Sequence, residues 1–422
     1  MPTNSRPQWS LKSTSGKTFF HVRISKRTFL RSLLGLCALA VSGGLSVLAW
    51  HHFMHPEHGA IGHAFTARGG DWGLLSVKPI LLPPPKGSLD PDFRLGDGLW
   101  YFKNTRPAEI GALLGEDGLS AQQVATLLLH LQRVAGRNDL LAIEPPAIIV
   151  WDLPSDVRAR LYARLASVPE NFAQLQPFRM GSRHLADWLG GGTVDPVLAA
   201  RVKKLLWQSG DTLLFSDYNL IADTISDPAA RLLLQQILAR KASLILELKI
   251  PANADVEPLI EYWRAGGPRE NVAPILQSLA ASGGGSISVS DLFPSFARQR
   301  LYRFPGIPQG KSIVPACHWT TFNFFNTGEP DAAFNSAPGV EREIRTHYTE
   351  ITGDPRYGDV VLLTEPDGAS IHSAVYIADD IVFTKNGPSI ATPWVLSTLK
   401  DMVEFYPSKQ PLTLVYYRRI GS

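Results

Sequence analysis

Three side chains near the C-terminal end have types and an order suited to thiol chemistry. Cys317 stands in the run Pro315-Ala316-Cys317-His318-Trp319-Thr320-Thr321-Phe322. Trp319, Phe322 and then Phe325 or Asn326 recur at three- to four-residue spacing, which predicts a buried helix opening at Cys317. The thiolate is the nucleophilic form of cysteine. The free N–H groups and partial positive charge of a helix start are expected to lower the thiol pKa and to be able to hold an oxyanion. His372 enters the run Ile371 to Ala378, whose residues alternate at strand period. Asp379-Asp380 predicts a hairpin turn and Ile381 to Thr384 a returning strand. A return of that length sets Asn386 beside His372.

The elements that must position these residues are also legible. Tyr357-Gly358-Asp359 reads as a turn and Val360-Val361-Leu362-Leu363 as the start of a buried strand, with a second turn at Glu365-Pro366-Asp367-Gly368. Cys at a helix start, then Gly-Asp-Val-Val, then His entering a Val-Tyr-Ile strand, resembles the NlpC-type papain-fold hydrolases and the related CHAP amidases. The resemblance runs from about Arg303 to Ser422 and does not reach the middle of the chain. The order Cys before His is that of these families and not of their circularly permuted branch.

What the resemblance implies is a papain-like domain in which Cys317 attacks an amide or related acyl bond. His372 takes and returns the proton, and Asn386 orients the imidazole. The implied substrate is a peptide of the cell envelope, first of all a peptidoglycan stem peptide. The family's cell-wall endopeptidases carry Asp-Cys-Ser-Gly around the nucleophile, where this chain has Ala316-Cys317-His318-Trp319. Two other functions stay open: a catalytically silent papain-like binding protein of the envelope, and an acyltransferase using the same residues. The chemistry calls for no cofactor and no metal. His318 is expected to be structural, His347 lacks the strand pattern a base would need, and Lys385 is expected to be exposed.

Composition sets the wider frame. With 422 residues, 45% hydrophobic and 19% charged, the chain is long enough for two domains plus appendages. Its net charge of +3 gives no reason to expect nucleic acid as a partner. Residues 1–50 read as a basic leader with no Asp or Glu, and Ser32 to Trp50 is an uncharged apolar run. Ser25-Lys26-Arg27-Thr28-Phe29-Leu30-Arg31 resembles the bacterial twin-arginine export signal. The positive flank predicts export of the rest of the chain, with residues 32–50 either a cleaved signal or an anchor in the inner membrane. Cys37 lies in this leader, leaving Cys317 as the one cysteine of the folded part, with no internal disulfide.

Residues 51–88 read as a linker, rich in histidine (His51, His52, His55, His58 and His63) and stiffened by Pro83-Pro84-Pro85. Residues 89–300 read as a mainly helical domain of unknown role. Its signals are a capping box at Ser120 before a helix to Val134, and the Asp195-Pro196 and Asp227-Pro228 helix starts. Strands are expected at Ala147–Trp151 and Leu244–Ile250. The expected fold class is α+β: a mostly helical middle domain followed by a papain-like domain, helix plus antiparallel sheet, over residues 301–422.

Overall fold

A computed structural model of the chain describes residues 8–14, 17–23, 61–181, 185–190, 194–210, 212–265, 271–306, 314–406, 408 and 410–421. The apolar leader run 32–50 and four of the linker histidines lie outside these residues. Among the described residues, no helix is long and apolar enough to cross a membrane.

The chain is α+β, with helices and antiparallel sheets in two compact units. One unit comprises residues 81–241 and 404–407, the other residues 1–80, 242–403 and 408–422. This division differs from the expected one at both ends of the middle region. Residues 74–82 are not tether: Leu74–Leu82 is a strand beside Lys241–Ile250 in a four-stranded sheet that also holds Phe65–Thr66 and Gly285–Ser288. Its Leu75, Val77 and Pro79 are buried while Leu74 and Lys78 are exposed, the period-two pattern of a half-covered strand. Residues 242–300 belong with the C-terminal part because their apolar faces have no other core. Leu246, Trp263, Phe293 and Phe296 share one buried cluster with Val375, Ile377, Phe383 and Trp394.

Within the 81–241 unit the capping signals act as read. Ser120 and Gln123 form a reciprocal capping box, and the Asp195 and Asp227 carboxylates accept from the N–H groups of Val197 and Ala229. Two expectations fail there. The helix that Ser120 opens stops at Leu129, because Leu131–Arg133 pairs as a strand with Leu140–Ile143. Ala147–Asp152 is a helix, not a strand. A five-residue apolar run between prolines is ambiguous in period, and Pro146, extended at the N-cap, launches a helical turn. The unit is not purely helical either; it holds two three-stranded sheets.

The C-terminal part builds the layer that matters for chemistry. In chain order it contains α1 (Cys317–Phe322), α2 (Ala337–His347), β1 (Tyr348–Ile351), β2 (Val360–Thr364), β3 (Ser370–Ala378), β4 (Ile381–Lys385), β5 (Trp394–Thr398), α3 (Leu399–Glu404) and β6 (Thr413–Arg419). The strands form one six-stranded antiparallel sheet in the order β1-β6-β2-β3-β4-β5. The Gly-Asp turn locks the entry to β2. Gly358 has φ +93°, and a Cβ there would stand 2.6 Å from Phe325 Cζ, so only glycine fits. Asp359 is buried, accepts from the Arg356 N–H at 2.7 Å and is held by both Nε and Nη2 of Arg418 at 3.0 and 2.6 Å.

The segment before α1 closes this sheet directly. Ser243 bonds both backbone groups of Leu396, Tyr262 donates to the Ile377 carbonyl at 2.9 Å, and Tyr302 donates to the Leu244 carbonyl. A fragment beginning at Arg303 should therefore lack a sharp thermal transition and near-ultraviolet circular dichroism. In the full chain Trp263→Ala, at a side chain with no exposed surface, should cost about 3–5 kcal/mol in denaturant unfolding. A cooperative melt of the fragment would show that the C-terminal sheet sustains itself.

Candidate thiol site on the six-stranded sheet

The site begins with the way α1 lies on the sheet. Ala316, extended, precedes the first helical residue, and Trp319, Thr320, Thr321 and Phe322 are all buried. Trp319 and Phe324 join the apolar cluster of β3, β4 and β5, while Phe322 packs with Val360 and Leu362 of β2. Two polar contacts fix the helix in place. Trp394 Nε1 donates to Thr320 Oγ1 at 3.0 Å, and Ser373 Oγ donates to Thr321 Oγ1 at 3.0 Å. Ser373, Val375, Phe383, Lys385 and Trp394 therefore mark the sheet face that α1 covers. The alternating set, Ala374, Tyr376 and Val382 with Met402, forms a cluster on the other face.

Cys317 is 7% exposed. Its sulfur lies against the backbone N–H groups of Cys317, His318 and Ser373, each of which favours the thiolate, and within electrostatic range of Lys385. Burial outweighs all of these and pushes the thiol up. The expectation of a thiol pKa lowered by the helix start is thus not met; desolvation is the larger effect. The Ser373 N–H belongs to the residue after His372, the partner expected for Cys317. A strand N–H lies in the plane of the sheet. A sulfur that accepts from it sits at the border of the two faces, whereas the His372 side chain alternates away from that of Ser373.

His372 has no exposed surface, and burial, then the nearby His318, push its pKa well below the ordinary value. The residue that holds its ring is Thr384, with Oγ1 2.8 Å from Nε2. Thr384 Oγ1 also donates to the Ser373 carbonyl at 3.3 Å. A hydroxyl has one proton, so it accepts from Nε2–H and leaves Nδ1 as the ring's basic nitrogen. Asn386, expected in this place, does not take it. β4 ends at Lys385, and the chain turns away at Gly387, whose φ is +79°. The Asn386 Oδ1 is buried without a hydrogen-bond partner. The Val375–Phe383 register would set Asn386 opposite His372, but the ladder stops before it, and Thr384, opposite Ala374 and so a diagonal neighbour of His372, makes the contact.

Two other residues also depart from expectation. His318 does not point away: Ser373 Oγ, whose proton goes to Thr321, accepts from His318 Nδ1 at 2.9 Å, and burial lowers the His318 pKa to about 4. Lys385 is not exposed at all; burial lowers its pKa to about 7, and Cys317 partly offsets this. Its Nζ donates to Gly387 O, Ser389 O and Thr392 Oγ1 at 2.6, 3.0 and 3.0 Å. Alternation from Phe383, which packs edge-on to Phe324 at 5.3 Å, was the available signal that Lys385 faces α1. His347 is half-exposed, 3.9 Å from Glu343 on its own helix.

Among the described residues no group of three or more His, Cys, Asp or Glu is arranged to hold a metal. The site also lies apart from a cavity of about 1070 Å³ lined by Arg68, Trp72, Tyr376, Asp379 and Arg418. No family model, curated protein or solved structure matches the chain.

Both histidines are neutral in the fold at neutral pH, whereas the unfolded chain binds their protons below pH 6.5. Stability is therefore expected to fall as pH drops through 6.5, each ring contributing up to about 1.4 kcal/mol per pH unit. For His318 the loss ends near pH 4, where the folded ring also protonates. His318→Gln should flatten the slope in urea titrations between pH 7 and 5, and an unaltered slope would refute the assignment.

Proposed function

We propose that the chain is an exported cysteine hydrolase of papain-like fold that cleaves an amide bond in a cell-envelope substrate, with peptidoglycan peptides the first candidates. The observation that carries this is the seating of Cys317 against the strand of His372: the helix it opens is tied to β3 by the Ser373–Thr321 hydrogen bond, the thiol is buried there, and Thr384 sets the neighbouring His372 ring with Nδ1 as its basic nitrogen. In this reading the sulfur, at the border of the two sheet faces, passes its proton to Nδ1 of His372, whose side chain lies on the face away from α1, and the thiolate attacks the acyl carbon. The imidazolium returns the proton to the leaving amine, and water then hydrolyses the acyl-enzyme. The N–H groups of Cys317, His318 and Ser373 that surround the sulfur would hold the developing oxyanion. Thr384 takes the orienting role first expected of Asn386. Support for export comes from the acid-free basic leader and its apolar run.

A second reading, a silent binding protein with the same fold, is favoured by one observation. Burial pushes the thiol up and the His372 ring down, so both groups are held neutral. Alkylation at neutral pH separates the two: rapid labelling of Cys317 supports the hydrolase, and slow labelling that rises only in alkali supports binding.

Assayed on peptidoglycan fragments with product analysis, Cys317→Ala should abolish turnover without loss of fold. His372→Ala should lower kcat roughly 100- to 10,000-fold. Thr384→Val should cost about tenfold, the worth of one orienting hydrogen bond, and Asn386→Ala less. Full activity in Cys317→Ala would end the hydrolase reading, and acyl transfer to an added amine would redirect it.

A further inference from the structure

Lys385 presents a physical problem that the pairing of Cys317 with His372 leaves unsolved. Its side chain has no exposed surface, and all three Nζ donors go to neutral oxygens: two backbone carbonyls and one threonine hydroxyl. Three oxygens within 3.0 Å of Nζ suit the three N–H groups of the ammonium. A buried cation is costly unless an anion faces it. None of the ion pairs among the described residues involves Lys385, so no carboxylate plays that part.

The ionisable neighbours that could matter are few. From α1 come Cys317 and His318; from β3, His372. Arg300 lies over the rings of Trp319 and Trp394 at 5.3 and 5.9 Å, with Glu329 within electrostatic range of it. Lys385 Nζ itself is 6.0 Å from the Trp394 ring, on the face α1 covers. Of these groups only Cys317 can become the missing anion on the face that Lys385 shares with α1, where Trp394, 6.0 Å from Nζ, bonds Thr320 of that helix; Glu329 is sensed by Arg300. Its sulfur is the one group whose charge acts on Lys385, and the effect is mutual.

We propose that Lys385 is a positioning residue for Cys317: its ammonium is the buried counter-ion of the Cys317 thiolate, and it ties the 386–392 segment to the same site. This rests on Cys317 being the nucleophile. The proton that leaves the sulfur goes to His372 Nδ1 and not to Lys385, and the thiolate in turn holds the Lys385 ammonium against the burial that favours the neutral amine. The carbonyls of Gly387 and Ser389 are drawn in by the same ammonium, so loss of the charge frees that segment as well as raising the energy of the thiolate.

The test reads the sulfur directly and needs no substrate. In a Cys37→Ser background Cys317 is the sole thiol, and its iodoacetamide alkylation rate is followed from pH 5 to 10. Lys385→Met should move the midpoint up by about one pH unit or more and slow alkylation at pH 7 about tenfold. Lys385→Gln, which keeps donors for the Gly387 and Ser389 carbonyls, should shift it similarly and covers the case in which the methionine variant does not fold. Thr392→Val removes one anchor but leaves the charge, so it should lower the melting temperature without moving the midpoint. An unmoved midpoint in a folded Lys385 variant, or an equal shift in Thr392→Val, overturns the proposal. A midpoint that depends on Lys385 in a protein that cleaves no envelope peptide would sink the hydrolase and leave this pairing standing. Cleavage with an unmoved midpoint would do the reverse.

Discussion

The seating of α1 on β3, through Ser373, is the constraint on which the rest of this site depends. Three groups of one residue supply the contacts. Its hydroxyl bridges Thr321 and His318, its N–H meets the Cys317 sulfur, and its carbonyl receives the Thr384 hydroxyl that polarises His372. The antiparallel register of β3 with β2 and β4 decides which residue does this. With Leu362 opposite Ser373 and Leu363 opposite His372, a slip of one position would turn His372 toward α1 and Ser373 away from it. The buried Gly358–Asp359 turn and the Arg418 pair at the mouth of β2 hold that register.

Enclosure then sets the electrostatics. A thiol, two imidazoles and an ammonium lie within one poorly solvated region, and for each of them burial is the largest influence on protonation. Desolvation favours neutral forms, whereas hydrogen bonds and opposite charges favour ionised ones. Backbone N–H groups and Lys385 pull the thiol toward thiolate; three acceptors pull Lys385 toward ammonium. A thiol placed this way differs from an unperturbed surface cysteine, whose thiolate fraction follows the ordinary thiol pKa. Its chemistry depends on its neighbours acting as a set.

The support for this arrangement comes from far along the chain. Leu246, Trp263 and Phe293 fill the space behind β3 and β4, and Tyr262 and Ser243 satisfy backbone groups of β3 and β5 that would otherwise be buried without partners. That explains why the boundary of the C-terminal unit falls near residue 242 and not near 301. The family pattern proposed from the sequence spans only the later stretch. The core that this stretch needs was written into residues whose own local signals read as an ordinary helix and strand.

The sequence by itself determined those elements whose signals are local and unambiguous. Caps at Ser120, Asp195 and Asp227, the opening of α1 at Cys317, the strand alternation around His372, and the turns at Gly358-Asp359 and Asp379-Asp380 are all local, because capping, φ preference and side-chain periodicity act over a few residues. Tertiary structure decided the partners. Whether Thr384 or Asn386 reaches His372, whether Lys385 is solvated or sealed, and whether a thiol at a helix start is eased or hindered in ionising depend on strand register and on what covers the sheet. Register is fixed by contacts between segments distant in the chain, and desolvation by everything packed around a group. Neither is a property of a short stretch of residues.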